Sequence, residues 1–137
     1  MPYRFPSDAW IAELSRRLNE SPSYESSAKN WEGDFVFVVE PDEAYAETAY
    51  LFLGLLHGKS TGGALLSSPD ERPAEYRIRA PFSVWRRVIE GELDPIQGMM
   101  MRKLKLDGNL MKIMRYPKAA KEIVCCCADV PTEWPDD

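Results

Sequence analysis

A single histidine, three adjacent cysteines and no apolar run of bilayer-crossing length are the shortages that first constrain this 137-residue chain. His57 has no second histidine to join it in a metal site or a catalytic pair, and is expected in a solvated or hydrogen-bonded turn. Cys125, Cys126 and Cys127 follow one another directly, and successive helical positions diverge by about 100°. They therefore cannot converge on a metal as a spaced Cys-x-x-Cys pair does. An odd, unspaced set also offers no disulfide framework, which suits a reducing compartment, and burial on an apolar helix is the expectation for all three. Positive charge is scarce as well. With 17 basic against 22 acidic side chains the net charge is −5, which argues against a nucleic-acid surface. No stretch approaches the roughly 20 apolar residues of a membrane span. "MPYRFPSDAW" lacks the apolar centre of a signal peptide, and "EWPDD" is not a peroxisomal address. These absences predict a soluble cytoplasmic protein that binds no nucleic acid and makes no stable membrane insertion.

Catalytic signatures fail on context. "GKSTG", Gly58 to Gly62, matches the G-x-S-x-G elbow with Ser60 as nucleophile. The elbow needs a following helix and a downstream histidine, whereas His57 precedes Ser60 and a glycine pair follows it, so a hairpin turn is expected. Gly54 and Gly58 enclose three residues rather than the four of a phosphate loop, and no helix N-terminus follows. Glu90, Glu92 and Asp94 flank helix ends, and Asp94 already has a capping role. The reading is a non-enzyme with no catalytic residue, no metal ligands and no cofactor.

The pattern that is present describes one α+β domain over residues 1–137. Residues 1–32 form an N-terminal helical segment, with Ser7 and Asp8 capping a helix to about Asn19 that lines up Trp10, Leu14 and Leu18 and is widened by Ile11. "SPSYESSAKN" follows as a turn and a short helix. "DFVFVVE" and "AETAYLFLGLLHG" are apolar on both faces and predict two interior strands, and "ALLSS" a shorter third after the interruption at Gly62 and Gly63. "AEYRIRA" alternates Tyr76 and Ile78 with Arg77 and Arg79, giving a strand with one wet face. The same alternation over Lys103 to Asp107 predicts Leu104 and Leu106 inward and Lys103 and Lys105 outward. Between these two lie a helix capped by Ser83 that carries Trp85, Val88 and Ile89, and a second capped by Asp94 with Pro95 at its first position. A last helix from Asn109 carries Leu110, Ile113 and Met114 and is broken or kinked at Pro117. Its second half reaches about Ala128, before an acidic tail, 129–137. About five strands in a mixed sheet, covered on one face by four to five helices, is the predicted architecture.

Met99, Met100, Met101, Met111 and Met114 fall within 16 residues. Three consecutive methionines cannot share one helical face, and so many unbranched side chains either fill core gaps or keep an apolar cavity adaptable. The stretch "RIRAPFSVWRRVIEGELDPIQGMMMRKLKLDGNLMKIM", Arg77 to Met114, resembles the core signature of the sterol-binding domain of the sterol carrier protein type two family. The correspondence runs through Gly91, Leu93, Asp94 and Pro95, then Gln97, then Lys103, Leu104, Leu106, Gly108 and Asn109. It is strong over residues 75–128 and looser over 33–68. Gly98 departs from an alanine common in the family, and Pro117 interrupts a helix that often continues.

The resemblance implies non-enzymatic binding and transfer of a lipid (sterol, fatty acid or acyl-CoA) in an apolar tunnel, with a lipid or fatty-acyl ligand as the partner. The expected cavity lies between the sheet and the helices from Ser83 to Met114. Its expected wall is Phe82, Trp85, Ile89, Ile96, Met99, Met100, Leu104, Leu106, Leu110, Met111 and Met114. A ligand-sized void of ~300 Å³ would destabilise the empty fold by roughly 7 kcal/mol, which soft methionines would relieve by collapsing into it. A rival reading is an accessory or interaction module of this fold that serves a partner enzyme without transporting lipid. A protein partner or a homodimer is left open by the sequence.

Overall fold

The fold was obtained as a computed structural model that describes residues 2–135. Its centre is a five-stranded mixed sheet built from β2 (Phe35–Glu40), β3 (Ala49–Leu56), β4 (Lys59–Leu66), β5 (Tyr76–Pro81) and β6 (Lys105–Asp107). The order is β4-β3-β2-β5-β6, with β2 and β5 parallel and the other neighbours antiparallel. β2 and β3 are interior, as their two-faced apolar sequences require. A two-stranded parallel pair, β1 (Tyr3–Arg4) with β7 (Thr132–Glu133), ties the two ends of the chain together.

α1 (Asp8–Asn19) is capped by Ser7, whose Oγ accepts from the Trp10 N–H at 3.1 Å. It lies across β4, and Gly63 permits the approach: a Cβ there would stand 2.5 Å from the Ile11 carbonyl oxygen. The glycine pair does not interrupt the strand. β4 runs through it and is longer than the "ALLSS" expected, because the space above is filled by helix backbone rather than by side chains. α2 (Pro22–Ser27) follows, capped by Ser21. α3 (Phe82–Ile89) packs on β5 and β2. Its N-terminus corrects the expected Ser83 cap: Pro81 precedes it with no side-chain cap, and the Ser83 N–H donates instead to Asp42 Oδ2 at 2.8 Å. Asp42 thus reaches across from the β2–β3 loop. Burial pushes its carboxyl pKa up, but donors from Ser83, Ala44 and Tyr45 outweigh this and hold it below the usual range.

α4 (Pro95–Met100) is capped by Asp94. The N–H groups of Lys103 and Leu104 both donate back to the Gly98 carbonyl, and Arg102 takes φ +60°, so β6 begins only at Lys105 and not at Lys103. Leu104 is buried, Leu106 is half-buried against the core, and Lys103 and Lys105 are exposed. α5 (Leu110–Met114) and α6 (Pro117–Asp129) are separate helices, with Pro117 in the first turn of the second, where a missing N–H has no consequence. α6 bridges α1 and α3 and also touches α2, α4 and α5, so it closes the helical layer beneath one sheet face. The opposite face carries a smaller apolar cluster, Val36, Val38, Phe52 and Leu66, with the Arg72 guanidinium 4.3 Å above the Phe52 ring. The stretch read as an acidic tail is partly built into the fold: β7 pairs with β1, and Trp134 is buried against Phe5 and Phe82. Asp136 and Asp137 lie outside the described residues.

Candidate functional site

The sheet and α6 do not meet everywhere. Between them, flanked by α1 and α3, is a cavity of about 110 Å³. Its roof is the inner face of the sheet: Phe35, Phe37 and Val39 from β2, Leu51 from β3 and Ile78 from β5. One flank is Trp10, Ile11 and Leu14 of α1, and the other is Trp85, Val88 and Ile89 of α3. Ala120, Ile123, Val124 and Cys127 of α6 form the floor, and Met99, Leu104 and Ile113 close one side. A second void of about 40 Å³ adjoins it and shares Phe35, Ile113, Ala120 and Ile123 before continuing to Trp31 and Tyr116.

The lining is carbon almost throughout, and the two tryptophans show how. The Trp10 indole N–H donates to Thr132 Oγ1 at 3.0 Å, and that of Trp85 to the Val38 carbonyl at 2.9 Å. Both polar edges are thereby engaged by partners outside the lining, and the rings are left as apolar wall. The Cys127 thiol is the one other polar side chain among the described residues of the wall, and burial pushes its pKa up, so it stays neutral. Five lining residues are only half-buried: Phe37, Pro95, Ala120, Ile123 and Val124. Four of these belong to α4 and α6, two helices that pack on each other: Pro95, Ala120, Ile123 and Val124.

Of the residues expected on the wall, Trp85, Ile89, Met99 and Leu104 line the cavity. Phe82 is fully buried elsewhere, among Phe5, Tyr45 and Trp134. Ile96, Leu106 and Leu110 are half-buried against the core without reaching the void. Met100, Met111 and Met114 are exposed at 59%, 67% and 38%, and Met101 at 56%. Of the three consecutive methionines only Met99 faces inward, because α4 presents one side to the core and ends immediately afterwards. The cavity is also smaller than the ~300 Å³ expected of an ordinary ligand pocket, and its walls extend to α1 and α6, beyond the helices from Ser83 to Met114. The Trp10–Leu14 stripe and the apolar "IVCCC" run were the visible signals for those two walls.

Nucleophilic chemistry finds no assembled site at Ser60. Its Oγ, on β4, lies 2.6 Å from Ser15 Oγ and donates to the Gly54 carbonyl of β3 at 2.9 Å. His57 takes φ +50° in the hairpin turn and bonds Glu32 Oε2 at 2.6 Å. The three cysteines are not alike: Cys126 and Cys127 are buried, but Cys125 is exposed, since a helix with one apolar side cannot hide three successive positions. Among the described residues no group of three or more His, Cys, Asp or Glu is placed to hold a metal ion, and no helix is long and apolar enough to cross a membrane.

A small α+β fold with a sheet, a closing helix and a carbon-lined void between them has the form of a protein that binds an apolar ligand. The sequence comparisons agree. Residues 11–121 match the model of the SCP-2 sterol transfer family, and the chain belongs to that family, which places it among lipid-binding and lipid-transfer proteins. It is similar to a crystal structure of sterol carrier protein 2 at 31% identity and TM-score 0.82, over 90% of this chain and 97% of that one. It is equally similar, at 31% identity and TM-score 0.84, to a conserved hypothetical protein from Thermus thermophilus, over 93% of this chain and 90% of the other. The fold, at 16% identity and TM-score 0.53, is also that of sterol carrier protein 2 from Aedes aegypti in complex with palmitate, over 81% of this chain and 92% of that one. No curated protein sequence matches the chain.

Proposed function

We propose that this protein binds the hydrocarbon chain of a fatty acid or fatty-acyl ester in the cavity between the sheet and α6, and carries it without chemical change. The observation that carries this reading is the wall itself. Apart from the weakly polar Cys127 thiol it offers no side-chain donor or acceptor to a sterol hydroxyl or a carboxylate, so a ligand's polar end stays at the surface while its apolar part goes in. A flexible chain suits the space better than a rigid ring system. At about 110 Å³ the main void lies below the ~300 Å³ of ordinary ligand pockets, and a chain can thread from it toward the adjoining 40 Å³ void as side chains yield. The empty main void destabilises the fold by about 3 kcal/mol at 24 cal/mol per Å³, which filling would return. Burying about ten methylenes at ~0.8 kcal/mol each contributes ~8 kcal/mol before association entropy is subtracted. Micromolar affinity follows, tight enough to load and loose enough to release.

Native mass spectrometry of freshly purified protein, followed by displacement of a fluorescent fatty acid by palmitate or by cholesterol, tests the reading. Palmitate displacing the probe at one site, with cholesterol much weaker, is the expected result. Cholesterol displacing it better would reassign the ligand to sterols. A clean apo mass, binding of neither lipid and a bound protein would favour the accessory-module reading.

A further inference from the structure

The cavity wall carries two sulfur atoms that holding a chain does not require: the Met99 thioether on one side and the Cys127 thiol on the floor. Burial acts on them in opposite ways. A thiol reacts as its thiolate, and the burial that pushes the Cys127 pKa up keeps it in the unreactive neutral form. A thioether has no proton to lose, so its lone pairs remain nucleophilic in apolar surroundings at any pH. Met99 also differs from its neighbours in sequence. Met100, Met101, Met111 and Met114 are exposed, and among the described residues Met99 is the one methionine that lines the void.

An oxidant dissolved in water therefore meets the four exposed methionines first. An acyl chain that enters the void carries its substituents past Met99 instead. In an oxidised unsaturated fatty acid the hydroperoxide group sits mid-chain, and the methylenes on either side of it outweigh the one polar group that they draw inside. We propose that Met99 reduces such a lipid hydroperoxide within the cavity, one for each protein molecule, and becomes methionine sulfoxide. This rests on the acyl-binding reading and adds an activity to it. The sulfur lone pair bonds to the outer oxygen of the –OOH group. The O–O bond breaks, its electron pair stays on the inner oxygen, and the proton of the outer oxygen moves there too. The thioether is oxidised to the sulfoxide, the hydroperoxide is reduced to the alcohol, and no other reductant takes part. Confinement supplies the rate, because the bound chain and the wall sulfur are held together rather than meeting by diffusion. The reaction also changes the wall. A sulfoxide oxygen is polar, both lining indole N–H groups are already engaged, and the Cys127 thiol is the one side-chain donor left among the described lining residues. An unpaired oxygen set against a guest's methylenes weakens binding about tenfold, so the oxidised protein releases its chain.

Tandem mass spectrometry of the full chain, treated with one equivalent of linoleic acid hydroperoxide or of hydrogen peroxide, tests the proposal. With the lipid hydroperoxide, Met99 should be oxidised about tenfold faster than Met100, Met101, Met111 or Met114, and one hydroxy fatty acid should form per sulfoxide. With hydrogen peroxide the order should reverse. Excess palmitate should remove the lead of Met99. Met99→Leu, close to it in volume, should still bind palmitate and should lose the fast phase of hydroperoxide reduction. Protein fully oxidised at Met99 should bind palmitate about tenfold more weakly. Met99 reacting no faster than the exposed methionines, or keeping its lead under saturating palmitate, overturns the proposal, and unchanged palmitate affinity after oxidation overturns the release. The wild-type mapping needs no variant, so a Met99→Leu chain that fails to fold leaves these outcomes decisive. Palmitate that binds the unoxidised protein without protecting Met99 sinks this proposal alone, whereas palmitate that does not bind at all sinks the acyl-binding reading and this activity with it.

Discussion

Replacing Met99 with tryptophan separates a working cavity from an ordinary core defect. Met99 is 7% exposed and closes one side of the void, so an indole at this position has empty space to enter. Filling removes part of the ~3 kcal/mol that the 110 Å³ void withholds, while overpacking a native core destabilises by about 1–3 kcal/mol. The two nearly cancel, and the apo melting temperature is expected to move by no more than about 5 °C. Ligand binding has no such compensation. An indole that displaces only two ligand methylenes removes ~1.6 kcal/mol, about fifteenfold in Kd. Palmitate at about 100 times the wild-type Kd should stabilise the wild type by ~2.7 kcal/mol, and a tenfold weaker variant at the same concentration by ~1.4 kcal/mol. Scanning fluorimetry with and without palmitate therefore shows a ligand-induced shift cut to about half or less. Met101→Trp, on the exposed neighbour, should change neither the apo transition nor the shift. The reasoning is refuted if Met99→Trp unfolds the protein while Met101→Trp is silent, or if Met99→Trp folds and keeps the full ligand shift.

Three further outcomes follow from the geometry. Ser60→Ala should destabilise by about 1–2 kcal/mol by leaving Ser15 without its buried partner, yet leave palmitate affinity intact; loss of an esterase activity in this variant would show that Ser60 is a nucleophile after all. Glu13 accepts from Arg16 and Arg17, and this holds its pKa down to about 2 against burial that pushes it up. Because the folded pKa is depressed, the stabilisation is complete above about pH 4.5 and is lost as pH falls toward 2, so an acid-unfolding curve of Glu13→Gln should be flatter across that window. A thiol reagent should label one cysteine, Cys125, in the native protein and three after denaturation; fast native labelling of Cys127 would contradict the closed floor of the cavity.

Sequence periodicity carried the elements whose environment is set by their own pattern. The two-faced apolar runs became the interior strands β2 and β3, and the alternation in "AEYRIRA" became β5 with its arginines outward. What escaped depends on contacts between distant segments. Gly63 looks like an interruption until α1 is placed on it, and Ser83 looks like a cap until Asp42 arrives from a loop 41 residues away. The site divided along the same line. Trp85, Ile89, Met99 and Leu104 sit in elements whose inward side is legible from spacing. The outward turn of Met111 and Met114 is not legible, because α5 is too short for its apolar side to be fixed by its own sequence. The walls given by α1 and α6 were visible as apolar stripes, but nothing local says that those stripes leave a gap between them.

The indoles of Trp10 and Trp85, with their N–H groups occupied elsewhere, make the interior behave as a small drop of oil of limited capacity. Such a drop sorts its guests by partition and by length. Each methylene that enters contributes about 0.8 kcal/mol, so affinity along a homologous series of fatty acids should climb about fourfold per carbon. The climb stops where the main void and its 40 Å³ neighbour are full, since every further carbon remains in water or forces the wall apart. The carbon number at that break is a molecular ruler written by Phe35, Ile113, Ala120 and Ile123, the four side chains standing where the two voids meet.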